Sequence, residues 1–361
     1  VGYESKSRPA VSRGSRAFLK SVGLLPALIV AMSLPGCRWE HLIAGALATP
    51  TSTKGASTNV AIKGDFAYVA SSALGIEIIG LTDGRHRWIP PSAPSDRVDD
   101  IAAAGDLLFA LDATAPGHLS VYRIDASGGL QAAGGPMEVP VGPFSGVTAA
   151  AGVVIVSGGT SQLTQRTYSP RGELGENSAT ADFGRGQPDA VLSGDGSRAL
   201  ISTHVFGPEF GLTVAEVHRS PLTIRELGYV PLEGAGFTDG GFKPANFPLQ
   251  AAFDGDFALI AHGGGLSVLA IAKGKSPKLV ASLALPIKAV AIAFDPIRRL
   301  AYVVGASPAP GIVEVDLTSP ASPRLLRHHA LPRSGSPSAI ALGPHLLIVA
   351  MQAGGVYTET R

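Results

Sequence analysis

The feature that most constrains this chain is a repeat: from residue 59 onward one strand–turn–strand pattern is written seven times. The copies are NVAIKGDFAYVAS (59–71), DIAAAGDLLFALD (100–112), GVTAAAGVVIVSG (146–158), AVLSGDGSRALIS (190–202), QAAFDGDFALIAH (250–262), AVAIAFDPIRRLAYVVG (289–305) and AIALGPHLLIVAM (339–351). With Tyr68, Phe109, Val156, Leu200, Leu259, Tyr302 and Ile348 as markers, successive copies are offset by 41, 47, 44, 59, 43 and 46 residues. A period of roughly 40–50 residues with several strands per unit marks a radial array of small sheets, whereas solenoid repeats are usually shorter or helical. The expectation is an all-β, seven-bladed β-propeller of four-stranded antiparallel blades over residues 58–361.

Each copy carries the local physics such a blade needs. Gly64-Asp65, Gly105-Asp106 and Gly255-Asp256 stand where a tight hairpin requires a residue that tolerates positive φ. The first strands are rich in Ala and Val, which suits crowding near a central axis, and the second strands carry larger residues to fill the space between sheets. Third strands follow at GIEIIGL (75–81), HLSVYRI (118–124), GLTVAEV (211–217), GLSVLAI (265–271) and GIVEVDL (311–317). An outer strand is visible in KLVASLAL (278–285) and RLLRHHAL (324–331). The third copy loses the alternating aliphatics at QLTQRTYSP (162–170).

The segment GIVEVDLTSPASPRLLRHHAL (311–331) resembles the LVIVD repeat: an alternating strand, an aspartate, a Ser/Pro turn and an outer strand. GLSVLAIAKGKSPKLVASLAL (265–285) and GIEIIGLTDG (75–84) are looser versions. The resemblance implies an exported bacterial propeller of the binding or surface kind. The seventh unit shows three strands, and HLIAGALA (41–48) is a candidate for the fourth, which would close the ring and leave no ladder unpaired. The alternative is that residues 38–57 form only a tether.

Ahead of the repeats, Lys6, Arg8, Arg13, Arg16 and Lys20 precede an apolar run from Val22 to Leu34. That run is shorter than the ~20 residues a bilayer span requires and has the length of a signal peptide core. It ends in Leu34-Pro35-Gly36-Cys37, and Cys37 is the only cysteine. The ending resembles the lipobox of bacterial lipoproteins, with Pro35 a departure from it; the resemblance implies cleavage after residue 37's neighbour Gly36 and lipidation of Cys37. Arg38, in place of a retaining aspartate, points to the outer membrane, with the periplasm or cell surface as alternatives. A lone cysteine forms no internal disulfide, so an exported fold here relies on its core. With 45% apolar residues, a core is well supplied.

The net charge of +1 gives no field for gripping a phosphate backbone, so nucleic acid is not an expected partner. The polar residues expected at the starts of the innermost strands are Asn59, Asp99, Asp100, Ser145, Asp189, Asn246, Lys288 and Ser338. Of these Asn59, Asp100, Asp189 and Asn246, with His204 and His262 after second strands, are the candidate channel-mouth set. Their oxygens suit a hard cation such as Ca²⁺, which takes about 6 to 8 oxygen ligands. Capping of strand starts and solvation of the channel mouth account for the same residues, and a loop histidine facing water accounts for the two His.

No G-x-S-x-G elbow, C-x-x-C-H haem site or tryptophan-rich repeat is present, so no catalytic residue and no cofactor is assigned. Two functions follow. The first is a non-catalytic scaffold, expected to be a monomer, that presents loops to a protein or glycan partner and reaches the membrane through its lipid. The second is a metal-dependent, lactonase-like hydrolase of a small exported substrate. The long gap at 228–247 is the candidate partner loop, offering Tyr229, Phe237, Asp239, Phe242, Lys243 and Phe247.

Overall fold

The computed structural model describes residues 57–90, 97–141, 145–158, 162–183, 187–204, 211–232, 251–306, 310–331, 335–352 and 355–361. The expected signal segment, Cys37 and the candidate closing strand at 41–48 lie outside the described residues.

The repeats fold into seven antiparallel sheets, occupying 59–89, 100–139, 146–182, 187–231, 251–283, 289–330 and 339–360, and here called blades 1 to 7. Blades 1, 3, 4, 5 and 6 are simple four-stranded meanders. In blade 2 the outer strand is broken into Leu130–Ala132 and Met137–Val139, both paired with Gly117–Ile124. Blade 7 has three strands among the described residues, Ala339–Leu342, Leu346–Met351 and Gly355–Thr360.

The hairpins form where the sequence places them. Gly64, Gly105 and Gly255 take φ of 57°, 61° and 57°, a region L side chains rarely adopt. All seven marker residues are buried, with Tyr68 and Phe109 among the largest fully enclosed side chains.

Between each pair of neighbouring sheets lies one apolar cluster. Tyr68, Ile78 and Leu108 fill the space between blades 1 and 2, and Leu259, Val303 and Val313 that between blades 5 and 6. The seventh cluster joins Val60, Val69 and Ile79 of blade 1 to Ile348, Ala350 and Val356 of blade 7. Seven sheets with seven intervening cores make a closed ring. The architecture is therefore the expected all-β propeller, and its closure is carried by packing between the last blade and the first.

The third copy, irregular in sequence, still supplies a third strand, Gln162–Tyr168. It buries Gln165 where blade 4 has Ala215, and the Gln165 Nε2 donates to His218 O of blade 4 at 2.7 Å. A buried amide bonded across the blade gap replaces an apolar contact there.

Candidate functional site at the inner strand starts

The first strands of blades 1 to 4 bring Asn59, Asp100, Gly146 and Asp189 to matching places. They pair across their hairpins with Ala70, Leu111, Ser157 and Ser202. Three of the four are side chains that bond to a neighbouring blade, Asn59 and Asp100 to the one that follows and Asp189 to the one before; the fourth is a glycine.

Asp100 is buried, and every hydrogen bond it makes here is one it accepts. Asn59 Nδ2 of blade 1 and Ile101 N (2.9 Å) donate to Oδ1, and Val147 N of blade 3 donates to Oδ2 at 2.7 Å. Asn59 is held in turn by Val60 N, which donates to its Oδ1 at 2.7 Å, so its amide is oriented with the NH₂ toward the carboxylate. One side chain thus fastens three blades. Burial pushes the Asp100 pKa up to about 7; the Asn59 amide and the Val147 and Ile101 N–H groups oppose the rise, and the Asp189 carboxylate adds to it.

Asp189 is equally buried and accepts from Ser157 Oγ of blade 3 at 3.1 Å and from Ala190 N at 2.8 Å. Ser157 Oγ also receives Gly146 N at 2.9 Å. Gly146 sits between the two carboxylates: a Cβ there would stand 2.7 Å from Asp189 Oδ1 and 3.2 Å from Asp100 Oδ2. This glycine is required for room, since its backbone is not in the left-handed region. On the other side of the ring, Ser338 Oγ of blade 7 donates to Ser57 O at 2.8 Å, just ahead of blade 1.

These placements correct two expectations. Three of the strand-start residues do not face a solvated mouth: Asp100, Asp189 and Ser338 are buried and bonded between or within blades. Nor is His262 a loop residue facing water. It ends the second strand of blade 5, Phe257–His262, and is buried. Gly264 N donates to its Nδ1 at 3.1 Å, which leaves Nε2 to donate to Ser267 Oγ at 2.9 Å. Burial lowers its pKa to about 4, so the ring is a neutral hairpin lock at pH 7. His204 likewise ends a strand, Arg198–His204, but its side chain lies outside the described residues, as does Asn246.

The candidate partner loop also needs correction at its start. Leu222–Pro231 is the outer strand of blade 4, and Tyr229 pairs there with Thr213. The Tyr229 ring lies over Gly211, where a Cβ would come 2.2 Å from its hydroxyl oxygen. Tyr229 is thus a half-buried strand residue. Phe237, Asp239, Phe242, Lys243 and Phe247 lie outside the described residues. Among the described residues no three His, Cys, Asp or Glu side chains group as a metal site, and no helix is long and apolar enough to cross a membrane.

The opposite end of the ring, where first and second strands turn, is fastened by cations. Lys63 reaches Asp106 at 2.9 Å, and Arg299 reaches Asp254 at 2.5 Å. Arg198 reaches across to blade 5, donating to Ile271 O and Gly255 O, both at 2.8 Å, and to Asp256 at 3.3 Å. Arg361 reaches Asp295 of blade 6 at 2.5 Å. A hollow of about 310 Å³ opens beside Arg198, lined by Asp195, Glu216, His218, Asp256 and Lys273 among others. Its walls mix both signs of charge and single out no ligand. Sequence reading missed this whole layer, as well as Ser157 and Gly146. The available signal was a basic residue recurring next to hairpin turns.

A closed ring of seven antiparallel sheets, with small first strands innermost, defines a seven-bladed β-propeller. Within that class, residues 54–80 match the LVIVD repeat family. The match falls on blade 1, overlapping the looser copy at 75–84 rather than the copy at 311–331. No curated protein matches the chain in sequence.

Solved structures that share the fold include a putative 6-phosphogluconolactonase from Bacteroides uniformis, at 15% identity and TM-score 0.63 over 83% of this chain and 93% of that one. A chain of the mitotic checkpoint complex matches at 11% identity and TM-score 0.61, over 85% and 89%. A functionally unknown protein from Desulfotomaculum acetoxidans matches at 12% identity and TM-score 0.60, over 85% and 90%. At these identities the likeness is one of fold.

Proposed function

We propose that the protein is a non-catalytic binding scaffold of the bacterial cell envelope, exported by its N-terminal segment and anchored to the outer membrane through a lipid on Cys37. The observation that carries the scaffold reading is the use made of the inner strand starts. Asp100, the residue best placed for acid–base work, has both oxygens occupied by donors from three blades. A general base must lie within hydrogen-bond reach of the substrate's proton, and Asp100 is enclosed between blades, 3% exposed. His262, the other candidate, spends both ring nitrogens inside its own hairpin.

Rigid rings leave recognition to their links. The link between Pro231 and Ala251 holds 19 residues, against 10 or fewer for the other links between described outer and inner strands. It carries Phe237, Phe242 and Phe247 with Asp239 and Lys243, a composition suited to a protein or glycan surface.

The test is capture from envelope extracts by the full mature chain and by a chain in which 233–247 is replaced with a short Gly/Ser linker. Loss of specific partners from the second sample is the expected outcome; identical partner sets reject the loop. Mass spectrometry of the mature N-terminus addresses the anchor. A diacylated Cys37 is expected, and an unmodified N-terminus elsewhere rejects it.

A further inference from the structure

Three histidines on the outer parts of the blades stand beside a glutamate. His86 Nδ1 lies 2.6 Å from Glu77 Oε1, and His218 Nε2 lies 3.5 Å from Glu216 Oε2, each within its own blade. His329 is placed differently. Its Nε2 lies 3.1 Å from Glu314 Oε1 of its own blade 6, and its Nδ1 lies 3.3 Å from Glu359 Oε1 of blade 7. Among the described residues it is the one histidine with a carboxylate at each ring nitrogen.

The strands account for this placement. Glu314 stands on the third strand of blade 6, Gly311–Asp316, and His329 on its outer strand, Arg324–Ala330. Ile312 pairs with His329 and packs in the cluster between blades 6 and 7, so the ring is on the face turned to blade 7. Glu314 shares that face with its two cross-strand partners, Tyr302 and Arg327. His328 is on the other face, beside Val313.

From blade 7, the third strand Gly355–Thr360 turns Tyr357 and Glu359 toward the same gap. The Tyr357 hydroxyl donates to Glu359 Oε2 at 3.3 Å, while Oε1 faces the histidine. Burial, then the Glu359 charge and this bond, raise the Tyr357 pKa, so the phenol keeps its proton. The second strand of blade 7 offers only Leu347, Val349 and Met351 to the gap, and Arg361 is tied to Asp295.

The two contacts of His329 are not equivalent. A neutral imidazole has one N–H and one lone pair, and an imidazolium has two N–H groups. The Glu314 contact has the geometry of a hydrogen bond, whereas the Glu359 contact is a close approach of charges alone. A neutral ring therefore keeps its proton on Nε2 for Glu314 and turns a lone pair toward Glu359. Attraction across the gap becomes repulsion, and a second proton restores it.

We infer that His329 is a proton-operated clasp between the rims of blades 6 and 7, closed when the ring carries two protons and released when it carries one. Histidine is the side chain whose charge changes between about pH 5 and 8. This one is 30% exposed, so protons reach it without opening the fold. The apolar cluster beneath, with Ile312 and Val349, holds the two blades together in both states. The clasp acts on the rim alone.

Nitrogen NMR of the full chain, labelled in histidine, reads both ring nitrogens of His329, whose signals are identified by their loss in His329→Gln. A neutral ring with its proton on Nε2 is expected at pH 8, and a ring protonated at both nitrogens at pH 5.5. A neutral ring with its proton on Nδ1 overturns the inference, as does a ring whose state is the same at the two pH values.

A double-mutant cycle reads the contact across the gap. His329→Gln, Glu359→Gln and the double variant are unfolded by denaturant at both pH values. Both side chains are part-exposed, so glutamine at either site leaves the core intact. At pH 5.5 a coupling of about threefold in the unfolding equilibrium is expected, within the range of exposed ion pairs. At pH 8 it should vanish or change sign. Equal coupling at both pH values, or none at either, overturns the clasp.

Discussion

Asp100 and Asp295 both have little surface open to water, yet Asp100 lies deep between blades and Asp295 near the rim, and they titrate in opposite directions. Asp100, at the inner strand starts, is pushed up to about 7 by burial, with a second carboxylate adding to the rise. Asp295, on the hairpin side of blade 6, is also penalised by burial, but the N–H groups of Arg298 and Ile297 and the charges of Arg361 and Arg298 outweigh it and hold its pKa below the usual carboxylate range. Depth and neighbours together set the charge of these groups: Asp100 lies deep between blades, and Asp295 lies nearer the rim beside two arginines. Where the group is shallow, a neighbouring cation and backbone N–H groups outweigh burial; where it is deep, neutral donors do not. The blade-to-blade bonds of Asp100 and Asp189 come from neutral donors, whereas those at the hairpin end include ion pairs.

The largest effect expected from this contrast is at Asp295. Asp295→Ala leaves the Arg361 guanidinium largely enclosed without its counter-charge, and breaking a buried pair in this way costs about 3–5 kcal/mol. Asp100→Ala takes from the Val147 N–H its acceptor and leaves the Asn59 amide only the Ile101 carbonyl, a loss of about 1–3 kcal/mol. Denaturant unfolding of the two variants measures both. Equal costs would show that the carboxylate charge is not what separates the two ends.

The pH dependence sharpens the same contrast, and its sign differs for the two residues. A group raised in the folded state favours folding most when protonated. The Asp100 contribution is therefore full below pH 3.8 and is lost as pH rises toward about 7. Asp295, held down, contributes above its ordinary pKa of 3.8 and loses that contribution as pH falls through its lower folded value. Asp100→Asn should flatten the fall in stability between about pH 4 and 7 and leave the acid limb as in the natural chain. An unchanged slope over that window would mean that Asp100 is ionised throughout it.

How far these contacts could be read from sequence depends on their range. The hairpins were legible because Gly64-Asp65 and its counterparts act through their own backbone, and the cores because Tyr68 and Phe109 recur in a fixed pattern. Asp100 and Asp189 could be picked out as strand-start residues, but their burial could not. It depends on Asn59, 41 residues upstream, and on Val147, 47 residues downstream, which only the ring brings together. His262 was misjudged for a similar reason. Its partners Gly264 and Ser267 are near in sequence, but a hairpin that folds its own end inward gives no periodic signal. Tyr229 was read as loop because Gly228 and Pro231 look like turn residues, whereas the strand tolerates them at the blade edge.

Gly146 offers a smaller effect that separates space from charge. Gly146→Ala places a methyl between the two carboxylates, 2.7 Å from Asp189 Oδ1. Overpacking of this kind costs about 1–3 kcal/mol. Because Asp100 and Asp189 would be pushed apart, the pH slope between about 4 and 7 should shrink along with the stability. A loss of stability with the slope intact would assign the Asp100 shift to its burial alone.

The smallest effect is expected at Lys63, and it tests whether the hairpin end is a single mechanism. Its pair with Asp106 is as short as a good hydrogen bond, 2.9 Å, but the side chains are 40% and 75% exposed. Water screens such a pair, and holding two flexible side chains together costs entropy, so exposed pairs are worth about 0–1 kcal/mol. Lys63→Ala should lie at the low end of that range, and its effect should vanish in about 1 M salt, where the screening length falls to ~3 Å. Asp295→Ala should keep most of its cost in the same salt, because its partner is enclosed. If both variants lose their effect together, the Arg361 clasp is no less exposed to screening than the Lys63 pair, and the division of the hairpin face into one enclosed and one open clasp fails.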